Sequence, residues 1–71
     1  MIDIGDKIKR TRLKLGLTQE ELAARTELSK GFISQLERNL TSPSIATLID
    51  ILEALGTDIA DFFTTGDADE K

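Results

Sequence analysis

Residues 18–39, TQEELAARTELSKGFISQLERN, constrain the fold of this chain most, because they contain two helix starts in quick succession. Thr18 is followed three residues later by Glu21, a capping-box pair, and Leu17 and Leu22 flank it as a hydrophobic staple. Ser29 is suited to cap a second helix, and Leu28 with Ile33 repeats the staple. Only Thr26-Glu27-Leu28 separates the two helices, so they must meet at a sharp angle. A connection this short calls for a left-handed residue, which predicts φ > 0 at Glu27.

The flanking sequence is helical as well. A first helix is expected from an Asp3 N-cap to about Leu15, ended by Gly16 in the αL conformation. Ile4, Ile8 and Leu15 are placed on its inner face, with Lys7, Lys9, Arg10 and Lys14 pointing outward. The second helix runs from Gln19 to about Arg25 and buries Leu22 and Ala23. The third runs from Lys30 to about Arg38 and buries Ile33 and Leu36, with Asn39 as its left-handed terminator. Thr41-Ser42-Pro43-Ser44 reads as a turn in which Ser44 or Ser42 caps a fourth helix. Ile45, Leu48, Ile49, Leu52 and Leu55 then recur at helical spacing up to Gly56. Asp58 with Asp61 caps a last short turn carrying Ile59, Phe62 and Phe63. The expectation is an all-α domain over residues 1–63, a compact five-helix bundle, followed by an acidic tail or linker over 64–71. No internal repeat is visible.

Composition removes several functional classes. The 71 residues contain neither histidine nor cysteine, so there is no nucleophile–imidazole pair, no disulfide and no thiolate metal site. Serines and threonines fall at caps and turns. The carboxylates of Glu20-Glu21 and of Asp67-Asp69-Glu70 sit at a helix start and in a polar tail, where helix-dipole complementarity and solvation account for them. No Gly-rich phosphate loop is present. The chain is therefore expected not to be an enzyme, and to need no cofactor or metal. No stretch approaches the roughly 20 apolar residues of a membrane span, and no signal-peptide core follows Met1, so a cytoplasmic location is expected.

Charge is distributed unevenly. The formal net charge is −4, yet residues 7–38 hold eight basic and four acidic residues, a local +4, while the remainder is acidic. Such asymmetry suits a molecule with one face toward phosphates and the other turned away. The third helix adds specificity. With Ile33 and Leu36 inward, its outer side presents Lys30, Gly31, Ser34, Gln35 and Arg38, with no carboxylate among them. Gln35 can pair with adenine N6/N7, Lys30 with guanine O6/N7, and Ser34 with several base edges. Gly31 lets the start of the helix approach closely. This is a helix-turn-helix layout whose second helix can enter the major groove. The competing expectation is a helical protein–protein module without operator binding, which would have no reason to keep carboxylates off the Lys30–Gln35 face.

The stretches IGDKIKRTRLKLGLTQEELA, LSKGFISQLERN, SPSIATLIDILEALG and DIADFF together closely resemble the phage-repressor/Cro type of helix-turn-helix, the XRE family. The resemblance implies a lambda-repressor-like five-helix bundle that binds double-stranded operator DNA as a homodimer on a near-palindromic site. By position it places base reading on Lys30, Gly31, Ser34 and Gln35. It places phosphate contacts on Gln19, Arg38 and Asn39, with Arg10 and Lys14 as further backbone candidates. Arg12 and Glu37 match an internal salt bridge of the family, and Phe32 is taken as a packing residue. Glu27 stands where the family usually has Gly, and Thr11 where it usually has an apolar residue. The wording SKGFISQLERN…SPSIATL is most similar to regulators in which this domain precedes a cupin-type sensor domain, so a C-terminal sensor domain in a longer parent chain is a further expectation.

Overall fold

Four helices follow one another with the same start and the same stop. The computed structural model describes residues 3–63 and contains α1 (Ile4–Lys14), α2 (Gln19–Thr26), α3 (Lys30–Glu37) and α4 (Ile45–Ala54), then a short helical segment, α5, over 59–63. No strand occurs among the described residues. The expected tail over 64–71 lies outside them. Asp3, Thr18, Ser29 and Ser44 each sit in extended backbone before a helix and accept from the amide three residues on. Asp58 does the same for Asp61 at 2.7 Å. Each bond satisfies a donor that the first turn would otherwise leave unpaired. The Thr18–Glu21 capping box is complete, with Glu21 Oε1 accepting the Thr18 amide at 2.8 Å.

The stops are equally uniform. Gly16, Glu27, Asn39 and Gly56 all have positive φ. The amide of the following residue bonds back to a carbonyl inside the helix: Leu17 to Arg12, Leu28 to Ala23, Leu40 to Gln35 and Thr57 to Leu52, all at 2.9–3.1 Å. This is the Schellman pattern, and it turns the chain sharply after every helix. Glu27 adopts φ 59° and ψ 33°, the left-handed conformation predicted for it. Thr26 belongs to α2, so the connection to α3 is Glu27-Leu28-Ser29, one residue later than expected.

Ile8, Leu22, Ile33, Leu36, Ile51 and Leu52 are fully buried, joined by Ala23, Leu48, Leu55 and Phe62. Leu17 and Leu28, the outer halves of the two staples, pack against this core. Three expectations are corrected. Leu15 is 52% exposed, although it keeps right-handed helical backbone as the C-cap of α1 and its amide still bonds to the Thr11 carbonyl. Lys7 does not point into solvent: its Nζ donates to the carbonyls of Phe62 and Phe63 at 3.1 and 3.3 Å and lies 5.4–5.5 Å from both rings. It ties α1 to α5 by ammonium–carbonyl and cation–π attraction. On α4, Ile51 fills the core while Ile45 and Ile49 stay exposed. Periodicity alone could not separate two apolar faces of one helix.

Candidate nucleic-acid interface

α2 and α3 are fixed to α1 by a buried ion pair at their junction. Arg12 Nε donates to Glu37 Oε2 at 2.7 Å and Arg12 Nη2 to Glu37 Oε1 at 3.0 Å, and the side chains are only 8% and 2% exposed. Arg12 Nη1 donates to the Leu17 carbonyl at 2.8 Å. Gln19, the first residue of α2, donates Nε2 to Glu37 Oε1 at 3.0 Å. A carboxylate only accepts, so the amide nitrogen must be the atom turned toward it. Among the described residues no buried side-chain nitrogen or oxygen lacks a partner, so the pair is held without an uncompensated charge. This network fixes the end of α3 against the start of α2.

A second knot lies at the other side of α3. Asn39 Oδ1 accepts the Gly5 amide at 3.2 Å, and Asn39 Nδ2 donates to Asp3. The Asn39 amide itself bonds to Leu36. Sequence reasoning placed Asn39 among phosphate contacts, but the structure commits its side chain to the start of α1. Gly5, which sequence reasoning left without a role, is buried there beneath the end of α3. Its only sequence signal is that a glycine interrupts the first turn of an otherwise good helix. The Asn39 amide, followed by the Asp6 N–H, holds the Asp3 carboxyl below its usual range, and slight burial opposes this.

What α3 presents outward is different in kind. Lys30, Gly31 and Gln35 are exposed and Ser34 is half-buried. Arg38, which caps the helix, is exposed as well. Among the described residues, none gives the side chains of Lys30, Ser34, Gln35 or Arg38 a hydrogen bond or ion pair, so their donors and acceptors remain unspent. No acidic residue occupies the first turn of α3. Phe32 packs against the core from its flank. On α1, Arg10 pairs with Asp6 at 2.7 Å while its side chain stays 70% exposed, and Lys14 is exposed at the end of that helix. The structure thus gathers Lys30, Gly31, Ser34 and Gln35 on one short helix with Arg38 as its C-cap, bonds Gln19 to its buried end, and gives the Asn39 side chain other work. No group of three or more His, Cys, Asp or Glu side chains that could hold a metal ion exists among the described residues.

A helix-turn-helix family model matches residues 8–62. Among curated proteins, the chain is 38% identical over 64 residues to the uncharacterized HTH-type transcriptional regulator y4dJ of Sinorhizobium fredii, covering 90% of this chain and 83% of that one. It is 35% identical to the control protein C.BamHI of Bacillus amyloliquefaciens, covering 94% and 88%. Among solved structures, the restriction-modification controller protein C.Esp1396I, as a tetramer in complex with its natural 35 base-pair operator, superposes with a TM-score of 0.82 at 35% identity, covering 89% and 83%. The clp gene regulator ClgR of Corynebacterium glutamicum superposes with a TM-score of 0.86 at 30% identity, covering 94% of this chain and 71% of ClgR.

Proposed function

The chain belongs to the helix-turn-helix family of DNA-binding transcriptional regulators, and on that premise we propose that α3 reads an operator in the major groove while residues at its margins hold phosphates. The chain is a DNA-binding regulator and not an enzyme, as are the relatives it matches. Lys30, Ser34 and Gln35 are assigned to base edges, and Gly31 to close approach of the helix start. Arg38 is assigned to phosphate, with Arg10 and Lys14 adding charge from α1. Gln19 has a second Nε2 hydrogen beyond the one given to Glu37, and that hydrogen is assigned to a phosphate oxygen. Asn39 and the Arg12–Glu37 pair act by holding the reading helix in place.

One observation carries the reading: the outward side of α3 is polar and free of carboxylates, and its Lys30, Ser34, Gln35 and Arg38 side chains have no partner among the described residues. A helix that served only protein contacts would not need that combination. The site is proposed to be near-palindromic and occupied by two copies, as suits a domain presenting one recognition helix. No described helix is long and apolar enough to cross a membrane, and a DNA partner favours a cytoplasmic location. The wording of residues 29–48 supports the finer reading that a cupin-type sensor domain follows this one in a longer parent chain. The decisive experiment selects duplexes from random DNA with this protein, then measures binding of the selected and scrambled sequences at several salt concentrations. A selected sequence bound at least about 1000-fold more tightly than its scramble is the expected result. Equal binding would mean that the domain holds DNA without reading its sequence.

A further inference from the structure

Gly31 is a glycine that the fold itself does not require. Gly16 and Gly56 hold positive φ, and a Cβ on Gly5 would strike the backbone of α3. Gly31 has neither reason. It lies in the first turn of α3 with right-handed helical backbone. Beyond the adjoining residues and the helix backbone, a Cβ built there meets only Ser29 Oγ, at 4.0 Å. Alanine is the better helix former, so the chain gives up helix stability to keep this position empty. The space is of use only to something outside the molecule. We propose that it is a slot for the C5-methyl group of a thymine, which makes Gly31 a determinant of sequence choice. This inference rests on the operator-binding reading above and adds the chemical group that is read.

The neighbours of the gap select that occupant. Residues three and four apart share one strip of a helix surface, and their side chains lean toward the helix N-terminus. Ser34 and Gln35 therefore flank the space over Gly31. Gln35 is exposed and Ser34 half-buried, and neither side chain has a partner among the described residues. The floor of the gap is the Gly31 Cα, with no side-chain donor or acceptor. A base carbonyl or amine pressed into it would lose its water without gaining a bond. The apolar group that bases present in the major groove is the thymine methyl. An adenine held by Gln35 brings one with it, because its paired thymine exposes O4 and the methyl in the same groove. Phosphate is the other chemistry suited to a helix start, but it lies on the amides along the helix axis. A Cβ at position 31 would not displace it there, so phosphate does not explain the glycine. Withdrawing one methyl group from water favours the methylated base by about fourfold.

The test replaces each thymine of a selected half-site in turn with deoxyuridine, which lacks only the C5-methyl group. Each duplex is titrated with the full chain and with Gly31→Ala. For the full chain, one of these replacements should weaken binding by about fourfold. Gly31→Ala should melt no lower than the parent, yet bind the thymine operator at least about tenfold more weakly, as an overpacked contact does. At the sensitive position the variant should prefer deoxyuridine, because its own methyl now fills the space. Indifference of the full chain to every replacement overturns the slot, and this series stands whether or not the variant folds. An equal loss by Gly31→Ala on thymine and deoxyuridine duplexes also overturns it, since the added Cβ would then meet something other than the methyl. Either result leaves operator binding standing. If the full chain prefers no selected sequence to its scramble, the operator reading fails, and the slot with it.

Discussion

Gly5 and Asn39 meet where α1 passes beneath the end of α3, and no side chain fits between them. The Gly5 amide donates to Asn39 Oδ1 at 3.2 Å. A Cβ added to Gly5 would stand 2.3 Å from the Leu36 carbonyl oxygen, 2.7 Å from Asn39 Oδ1 and 3.0 Å from the Glu37 carbonyl oxygen. Two of those three atoms belong to backbone and cannot swing aside. Gly5→Ala should therefore destabilise the domain, although alanine is the better helix former by up to about 1 kcal/mol. Overpacking of this kind typically costs about 1–3 kcal/mol, so the melting temperature should fall by at least several degrees. A melting temperature at or above that of the parent would mean that α1 and α3 can separate without cost.

The same knot sets the acid response of Asp3. The Asn39 side-chain amide, then the Asp6 N–H, bond its carboxylate and hold its pKa below the ordinary 3.8, with Arg10 adding a smaller attraction. A carboxyl whose pKa is depressed on folding adds stability that is present above its unfolded value and lost as pH falls through the folded one. That contribution therefore disappears only below about pH 3.8. Asn39→Gly keeps the left-handed backbone but removes the amide, so the Asp3 pKa should rise toward 3.8. Carboxyl carbon shifts followed by NMR through the acid range measure this directly, and an unmoved titration would assign the depression to another cause.

Glu27 holds φ 59° in the turn between α2 and α3. A residue with a Cβ pays about 1–2 kcal/mol for that conformation, and glycine avoids the penalty at a somewhat larger entropic cost of ordering. The Glu27 side chain is exposed, so its removal costs little. Glu27→Gly should raise the melting temperature by a few degrees or leave it unchanged. A clear drop would show that the carboxylate contributes to the turn.

Glu37 answers three donors from two other segments: Arg12 Nε and Nη2, and Gln19 Nε2. Truncating it leaves the Arg12 guanidinium buried without its counter-charge, which typically costs about 3–5 kcal/mol. Glu37→Ala should melt far below the parent, while Arg12→Met/Glu37→Leu, which removes both charges, should recover much of the loss. Thermal unfolding by circular dichroism distinguishes the two. A single variant as stable as the parent would mean that water reaches the guanidinium and solvates it.

Helix ends were legible in the sequence because each depends on one local residue type. Asp3, Thr18, Ser29, Ser44 and Asp58 cap as their side chains require, and Gly16, Glu27, Asn39 and Gly56 terminate as expected. Contacts between distant segments were not legible from local residue types; the Arg12–Glu37 pair was named only through the family resemblance. Lys7 looks like any outward lysine of a helix, and only the packing of α5 shows that its ammonium meets two carbonyls and two rings. Thr11 departs from the family's apolar preference, yet it is accommodated by donating its hydroxyl to the Lys7 carbonyl at 2.8 Å. Asn39 could be recognised as left-handed, but not as the partner of Gly5, since the two are 34 residues apart.

Base reading and phosphate anchoring on α3 are separable by mutation. Gln35 is exposed on the carboxylate-free side, and its neutral amide can donate to and accept from one adenine edge. Gln35→Ala should weaken binding to the selected operator by about 1–3 kcal/mol, roughly 5- to 150-fold, and affect scrambled DNA far less. Arg38 sits beyond the last turn and carries a full charge suited to phosphate. Arg38→Ala should weaken binding to every sequence alike and flatten the log–log salt slope by about one unit, because one fewer counterion is released. Neither side chain has a partner among the described residues, so both variants should fold as the parent does, and their losses report on DNA alone. Titrating both against operator and scrambled duplexes at several salt concentrations resolves the two roles. Equal losses for Gln35→Ala on the two duplexes would remove it from the base-reading set, and an operator-restricted loss for Arg38→Ala would move it in.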